Sequence, residues 1–390
     1  MNHKWVLPLV VIAQFAATSL WFSGNAIYPI LQLELGFNYE IAPKLTIAVQ
    51  LGFIIGTLVY AIFMIPDRYA PSKVFFVSAL SAAASNLVIL FFQNYSTLFS
   101  SRLLIGFFLA GIYPVGMKIV KDWYPQGTGK SLGYLVGALV LGTSLPHFIK
   151  SQSLGVSWTF VIISTSVLAV IAGLIILLLV GDHPHRKQAS AFSFKAFLSL
   201  FTNRMTNRAS FGYFGHMWEL YAFWAFVPLI ITWFNEHNDL AINQSLWTFV
   251  IIGVGSVGCV VGGYLSRQLG SCRVSFFAML FSGLCGVLSI FFFSFGPTLF
   301  LAIMLCWGFF VIMDSPQFSS VIADYAESRY LGSTLTIVNC IGFAITIGSI
   351  RMIEQLVQGD GNYFWVLAIG PILGLFPTGK VAFRKSFPQL

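Results

Sequence analysis

Charge is what this chain has least of. Lys, Arg, Asp and Glu make up 9% of its 390 residues, while 57% are hydrophobic. A soluble chain of this length needs a polar surface that such a composition cannot supply. Cysteine is sparse as well. Cys259, Cys272, Cys285, Cys306 and Cys340 all lie in the second half and form no C-x-x-C pair. That excludes a redox motif or a zinc or disulfide framework and leaves them as small packing residues. There is no Walker phosphate loop and no Ser/His/Asp constellation. An ATP-driven pump or a membrane enzyme is therefore not supported, and neither a cofactor nor a metal site is expected. His183 and His185 flank a proline as a weak metal signal, for which a solvated linker is the simpler reading.

What the chain has is long apolar runs, with a mean hydropathy of +0.83. In lipid, backbone polar groups must be satisfied internally, so runs of about 20 residues predict transmembrane helices. Twelve can be marked. The first six cover roughly Trp5–Leu31, Ile41–Ile65, Val74–Phe92, Thr97–Val120, Ser131–Ile149 and Trp158–Val180. The second six cover roughly Ala209–Phe234, Leu246–Ser266, Val274–Phe295, Thr298–Ala323, Leu331–Ile353 and Tyr363–Val381. The expected fold class is an all-α membrane protein of two six-helix bundles, 1–180 and 209–390, joined by a basic linker, 181–208. Within the linker, Ala191–Phe201 reads as an amphipathic helix on the membrane surface. The first span is too long for a cleaved signal and has no small-residue cleavage site.

The net charge of +8 would point to nucleic acid in a soluble protein. Its placement argues otherwise. With a cytoplasmic N-terminus, 17 of the 21 Lys and Arg fall on cytoplasmic segments or span ends. That is the positive-inside pattern, so both termini are expected in the cytoplasm and no nucleic-acid partner is expected.

The halves repeat. The connection Asp67-Arg68-Tyr69-Ala70-Pro71-Ser72-Lys73-Val74 aligns with Arg267-Gln268-Leu269-Gly270-Ser271-Cys272-Arg273-Val274, and Gly142 aligns with Gly342. Parallel repeats about a central path are a transporter architecture. Asp67-Arg68-Tyr69-Ala70 with Lys73 matches the core of the G-x-x-x-D-R-x-G-R-R loop motif. Arg102-x3-Gly106-x4-Gly111-x2-Pro114 is similar to a fourth-helix Arg motif. On these residues the whole chain resembles the major facilitator superfamily. Span five, with Gly133, Gly137, Gly142 and Pro146, lacks the G-P-x-x-G-G signature of drug–proton antiporters. Trp21-Phe22-Ser23-Gly24-Asn25 and Met217-Trp218-Glu219-Leu220 look like bacterial members grouped with cyanate and nitrate porters. The intramembrane arginines of nitrate porters in spans two and eight are absent, which disfavours nitrate. The resemblance implies alternating access, with Asp67, Arg68, Lys73 and Arg273 as gating charges.

Ionisable groups inside a membrane are expensive and mark sites. Glu219 falls near the middle of span seven, with His216 on the same helix face. Ser19 is its first-half counterpart. A carboxyl in a poorly solvated site can load and release a proton, so Glu219, His216 and Asp314 are the proton-coupling candidates. The competing reading for Glu219 is a carboxyl bonded to neighbouring helices, and for Asp314 a polar cap beside Pro316. Arg102 is an anion site by resemblance, or a snorkelling side chain. Ser19, Asn25, Tyr113, Tyr221, Trp224 and Asn339 complete the candidate substrate residues, with helix packing as the alternative for each aromatic. Arg351 and Glu354 read as a local ion pair.

The expectation is a monomeric, proton-coupled uptake transporter of a small or medium organic solute in a bacterial inner membrane. Efflux is the alternative within the class. A non-transporting sensor or scaffold is the alternative outside it. Expected partners are a small-molecule substrate, protons and the lipid bilayer.

Overall fold

Long apolar runs punctuated by short polar caps become helices whose ends can be traced to single residues. The computed structural model describes residues 3–36, 41–124, 128–152, 157–184, 191–357 and 363–383. Twelve helical spans there are long and apolar enough to cross a membrane. Numbered in order they are Val6–Glu34, Pro43–Ile62, Pro71–Leu90, Tyr95–Trp123, Ser131–Ser151, Trp158–Val180, Arg204–Asn238, Gln244–Leu269, Ser271–Ser294, Pro297–Tyr325, Ser328–Val357 and Phe364–Ala382. No strand occurs among the described residues. The all-α, twelve-span fold is the expected one.

Several boundaries moved for local reasons. Span 7 begins at Arg204 rather than Ala209 because Asn203 accepts the backbone N–H of Met205 at 2.8 Å. Asn94 and Asn243 cap spans 4 and 8 in the same way. Each cap satisfies amides that no intrahelical carbonyl reaches. In the linker a helix forms over Lys195–Thr202, shorter than the expected stretch. It buries Ala196 and Leu200 and leaves Phe194, Phe197, Leu198 and Phe201 exposed. The linker's start is tied to span 3, where Asp182 accepts from the Ser72 amide at 2.9 Å and its hydroxyl at 2.7 Å. His185, Arg186 and Lys187 lie outside the described residues.

Three spans are not continuous helices. Span 1 breaks at Ser19–Phe22, span 4 at Ala110–Ile112 and span 10 at Val311–Asp314. Pro114 and Pro316 explain two of the breaks: each lacks an N–H, and its ring crowds the carbonyl four residues back. The Ile312 carbonyl is taken instead by the Ser315 amide at 3.2 Å and the Cys259 thiol at 3.7 Å. In span 1 the Thr18, Ser19 and Ser23 hydroxyls bond back to Gln14, Ala16 and Leu20 carbonyls at 2.8, 2.7 and 3.0 Å. Such back-bonding competes with the helix ladder.

The repeat is visible in the packing. A Cβ on Gly106 would lie 2.0 Å from the Val49 carbonyl oxygen, and one on Gly308 would lie 1.9 Å from that of Ile251. The offset from Gly106 to Gly308 equals that from Val49 to Ile251, so spans 2 and 4 cross as spans 8 and 10 do. The halves meet along two seams. Spans 5 and 8 pack along their length, from Tyr134 and Tyr264, with hydroxyls 2.9 Å apart, to Phe148 and Phe249, with ring centroids 4.9 Å apart. Spans 2 and 11 meet through Phe53 and Phe343, at 4.6 Å, and through Lys44 and Glu354, at 3.8 Å. Glu354 thus reaches across the halves. Its expected partner Arg351 forms no ion pair among the described residues.

Candidate functional site

The break in span 1 turns Trp21 toward the second half, where its ring stacks on Tyr221 of span 7 at 5.4 Å and 20°. Phe53 of span 2 and Phe343 of span 11 close round the pair, at 5.2 Å from Trp21 and 5.2 Å from Tyr221. One turn further along, Phe22 meets Trp224 edge-on at 6.3 Å. These contacts bring expected residues Tyr221 and Trp224 to an aromatic centre contributed by both halves. Tyr113 and Tyr213 lie within electrostatic reach of Tyr221 and of each other. Tyr213 also donates to Asn339 of span 11 at 3.0 Å. The buried indole N–H groups of Trp21 and Trp224 and both amide atoms of Gln50 have no hydrogen-bond partner among the described residues.

Behind this centre, in the second half, lie the acid–base groups. His216 Nδ1 is 2.7 Å from Asp314 Oδ1, with both side chains buried. The break in span 10 is what presents Asp314 to span 7. The Nε2 atom of His216 has no partner among the described residues. Glu219 is fully buried; Oε1 accepts from Trp307 Nε1 at 2.7 Å, and Oε2 from the Ser282 hydroxyl at 2.9 Å. Both donors are neutral. Glu219 and Asp314 are within electrostatic range, and no Lys or Arg pairs with either among the described residues.

Arg102 is held within the first six spans. It donates to the Ser23 hydroxyl at 2.6 Å, to the Leu20 carbonyl at 3.4 Å and to the Asn86 side-chain oxygen. Asn86 in turn donates to Ser166 at 2.9 Å and Thr165 at 3.1 Å in span 6. Arg102 is wholly buried, so it does not snorkel to the interface. In each half a buried charged residue is bonded across the first, third and fourth spans: Arg102 with Ser23 and Asn86, Glu219 with Ser282 and Trp307.

The other candidates are scattered. The Ser19 hydroxyl is engaged by its own helix at Ala16, and Asn25 donates to Thr46 at 2.8 Å. Asp67 lies 3.0 Å from Lys118 of span 4, in the same half. Arg273 Nε donates to the Ala382 carbonyl at the end of span 12, at 3.1 Å. Arg68 and Lys73 form no ion pair among the described residues. Sequence reasoning missed Phe53, Phe343, Tyr213 and Ser282. Nothing in the local pattern distinguishes these from packing residues.

Comparison with known proteins bears on the same architecture. A human organic anion transporter, MFSD10 (TETRAN), superposes with a TM-score of 0.72 over 97% of this chain and 100% of its own, at 13% identity. That likeness establishes the fold. A gentisate transporter of Corynebacterium glutamicum is 24% identical over 182 residues, 45% of this chain. The match spans 40% of that relative's length. The sequence model of the Major Facilitator Superfamily matches residues 10–349. With twelve apolar spans, a repeated half and this match over most of its length, the chain is a multi-pass membrane protein and belongs to the Major Facilitator Superfamily of transporters.

Proposed function

We propose that the protein is a proton-coupled uptake transporter of a small aromatic carboxylate, in which residues 1–180 rock against 209–390. The observation that carries the coupling is the composition of the buried acid–base site. Two carboxyls, Glu219 and Asp314, share it with a single imidazole, His216, and with no permanent cation among the described residues. A protonated His216 can balance one carboxylate. The other is an unpaired charge in a buried site unless it carries a proton, and such a charge is costly in a membrane interior. Glu219 is the proton carrier in this reading, and the His216–Asp314 pair adjusts its charge state.

The substrate class rests on the centre. Trp21, Phe53, Tyr221 and Phe343 offer ring faces, and the N–H groups of Trp21, Trp224 and Gln50 are buried donors awaiting an acceptor. An aromatic ring carrying a carboxylate matches both features. The gentisate transporter among its relatives supports the same class. Asp67, with Lys118, and the neighbouring Arg68 and Lys73 form the cytoplasmic gate, with Arg273 at the corresponding place in the second half. The location is a bacterial inner membrane, with both termini inside and a monomer as the working unit.

The test is uptake of a labelled hydroxybenzoate into proteoliposomes. Accumulation should require an inwardly directed pH gradient and collapse with a protonophore. Accumulation that is indifferent to the gradient removes the coupling. Transport of aliphatic carboxylates at equal rates removes the aromatic assignment.

A further inference from the structure

The start of span 7 and the end of span 12 lie side by side. Arg204 and Arg208 lie one turn apart at the start of span 7, and Lys380 lies in the last turn of span 12. With Gly379 and Phe383 they line an open basin of about 450 Å³. Arg208 donates to the Lys380 carbonyl at 3.4 Å, which ties the two spans together and is its one hydrogen bond among the described residues. Among the described residues no carboxylate forms an ion pair with Arg204, Arg208 or Lys380. Three like charges are thus gathered in one concavity with no carboxylate paired to them among the described residues.

The surroundings of the basin point to what fills it. The helix Lys195–Thr202 runs directly into span 7 through Asn203 and exposes Phe194, Phe197, Leu198 and Phe201. Phe383, which lines the basin, is also exposed. Exposed aromatic and aliphatic side chains beside cations mark the boundary between acyl chains and headgroups. A basic pocket between spans at that level is suited to an anionic headgroup.

We propose that this basin binds the phosphate of an anionic phospholipid, with Arg204, Arg208 and Lys380 on the phosphate oxygens and the Phe residues against the acyl chains. Guanidinium groups offer a forked pair of donors to phosphate, and the lysine adds a point charge. A free phosphate ion shares the headgroup chemistry but gains nothing from the apolar rim.

The experiment is native mass spectrometry of the detergent-purified full chain, titrated separately with phosphatidylglycerol, phosphatidylcholine and inorganic phosphate. Phosphatidylglycerol should be retained in preference to phosphatidylcholine. Arg208→Gln and Lys380→Gln should each weaken that retention about fivefold, on roughly 1 kcal/mol per basic residue near an anionic surface. Arg208→Lys should restore most of it, which separates lost charge from lost folding. Equal retention by the wild type and the Gln variants overturns the proposal. So does inorganic phosphate that displaces the lipid at equal concentration, because the site would then serve the free ion.

Discussion

His216 Nδ1 and Asp314 Oδ1 face each other at 2.7 Å between spans 7 and 10, and the break ahead of Pro316 is what brings them together. Asp314→Asn keeps the shape but removes the charge that orients the imidazole. It should change the pH–rate profile of uptake while solute exchange continues. His216→Ala should also move the pH optimum without ending coupling. Measuring initial uptake rates from pH 5 to 8 decides the matter, and profiles superimposable on the wild type would make the pair structural.

Glu219→Gln tests the carrier. The glutamine can keep the Trp307 bond at its oxygen, and the Ser282 hydroxyl can turn to accept from its amide, so the site stays satisfied. The variant should fold and exchange solute but fail to accumulate it on a pH gradient. Trp307→Phe instead leaves a carboxyl oxygen short of its donor and should lower stability by about 1–3 kcal/mol. Wild-type accumulation by Glu219→Gln would pass the role to Asp314.

At the aromatic centre, Tyr221→Ala removes the ring stacked on Trp21. Substrate affinity should fall by about 0.5–1.5 kcal/mol, or roughly two- to tenfold. Tyr221→Phe should hold it near the wild-type value. Quenching of tryptophan fluorescence on substrate addition reads both. Equal affinity in all three proteins would place the substrate elsewhere.

Gly106→Ala and Gly308→Ala force a Cβ to about 2 Å from a carbonyl oxygen of the crossing span, and backbone has no rotamer with which to yield. Each should cost at least the ~1–3 kcal/mol typical of overpacking. Gly24→Ala meets the Cδ of Arg102 at 2.8 Å, a side chain that can shift, so its effect should be smaller. Thermal melting in detergent orders the three, and a Gly24 variant that melts lowest contradicts the packing account.

The spans were legible because lipid demands long apolar runs, and the second-half acid–base residues stood out because charge is rare inside them. The break at Val311–Asp314 was less legible. Pro316 signals a disturbance but not that Asp314 would turn to His216. The break in span 1 has no proline at all; it rests on hydroxyls that return to their own backbone. For Arg102 the sequence left snorkelling and an inward-facing site both open, since its burial depends on tertiary partners such as Asn86 on the preceding span. Phe53 and Phe343 were lost among forty phenylalanines, because only tertiary contact distinguishes a ring at the centre from one against lipid.

The two seams between the halves differ in kind. On spans 5 and 8, a Cβ at Gly133 or Gly137 would lie 3.1 Å from the Cys259 or Ser256 carbonyl oxygen, so backbone rests against backbone with no knob between. On spans 2 and 11, interlocked rings and the Lys44–Glu354 pair must part before the halves can separate. One side is a spine and the other a clasp. The molecule should then open as a book does, pivoting about the glycine edge whichever way it faces. A flexible thiol cross-linker joining Tyr134→Cys to Tyr264→Cys should spare transport, and one joining Lys44→Cys to Glu354→Cys should stop it. The reverse result would put the pivot at the clasp.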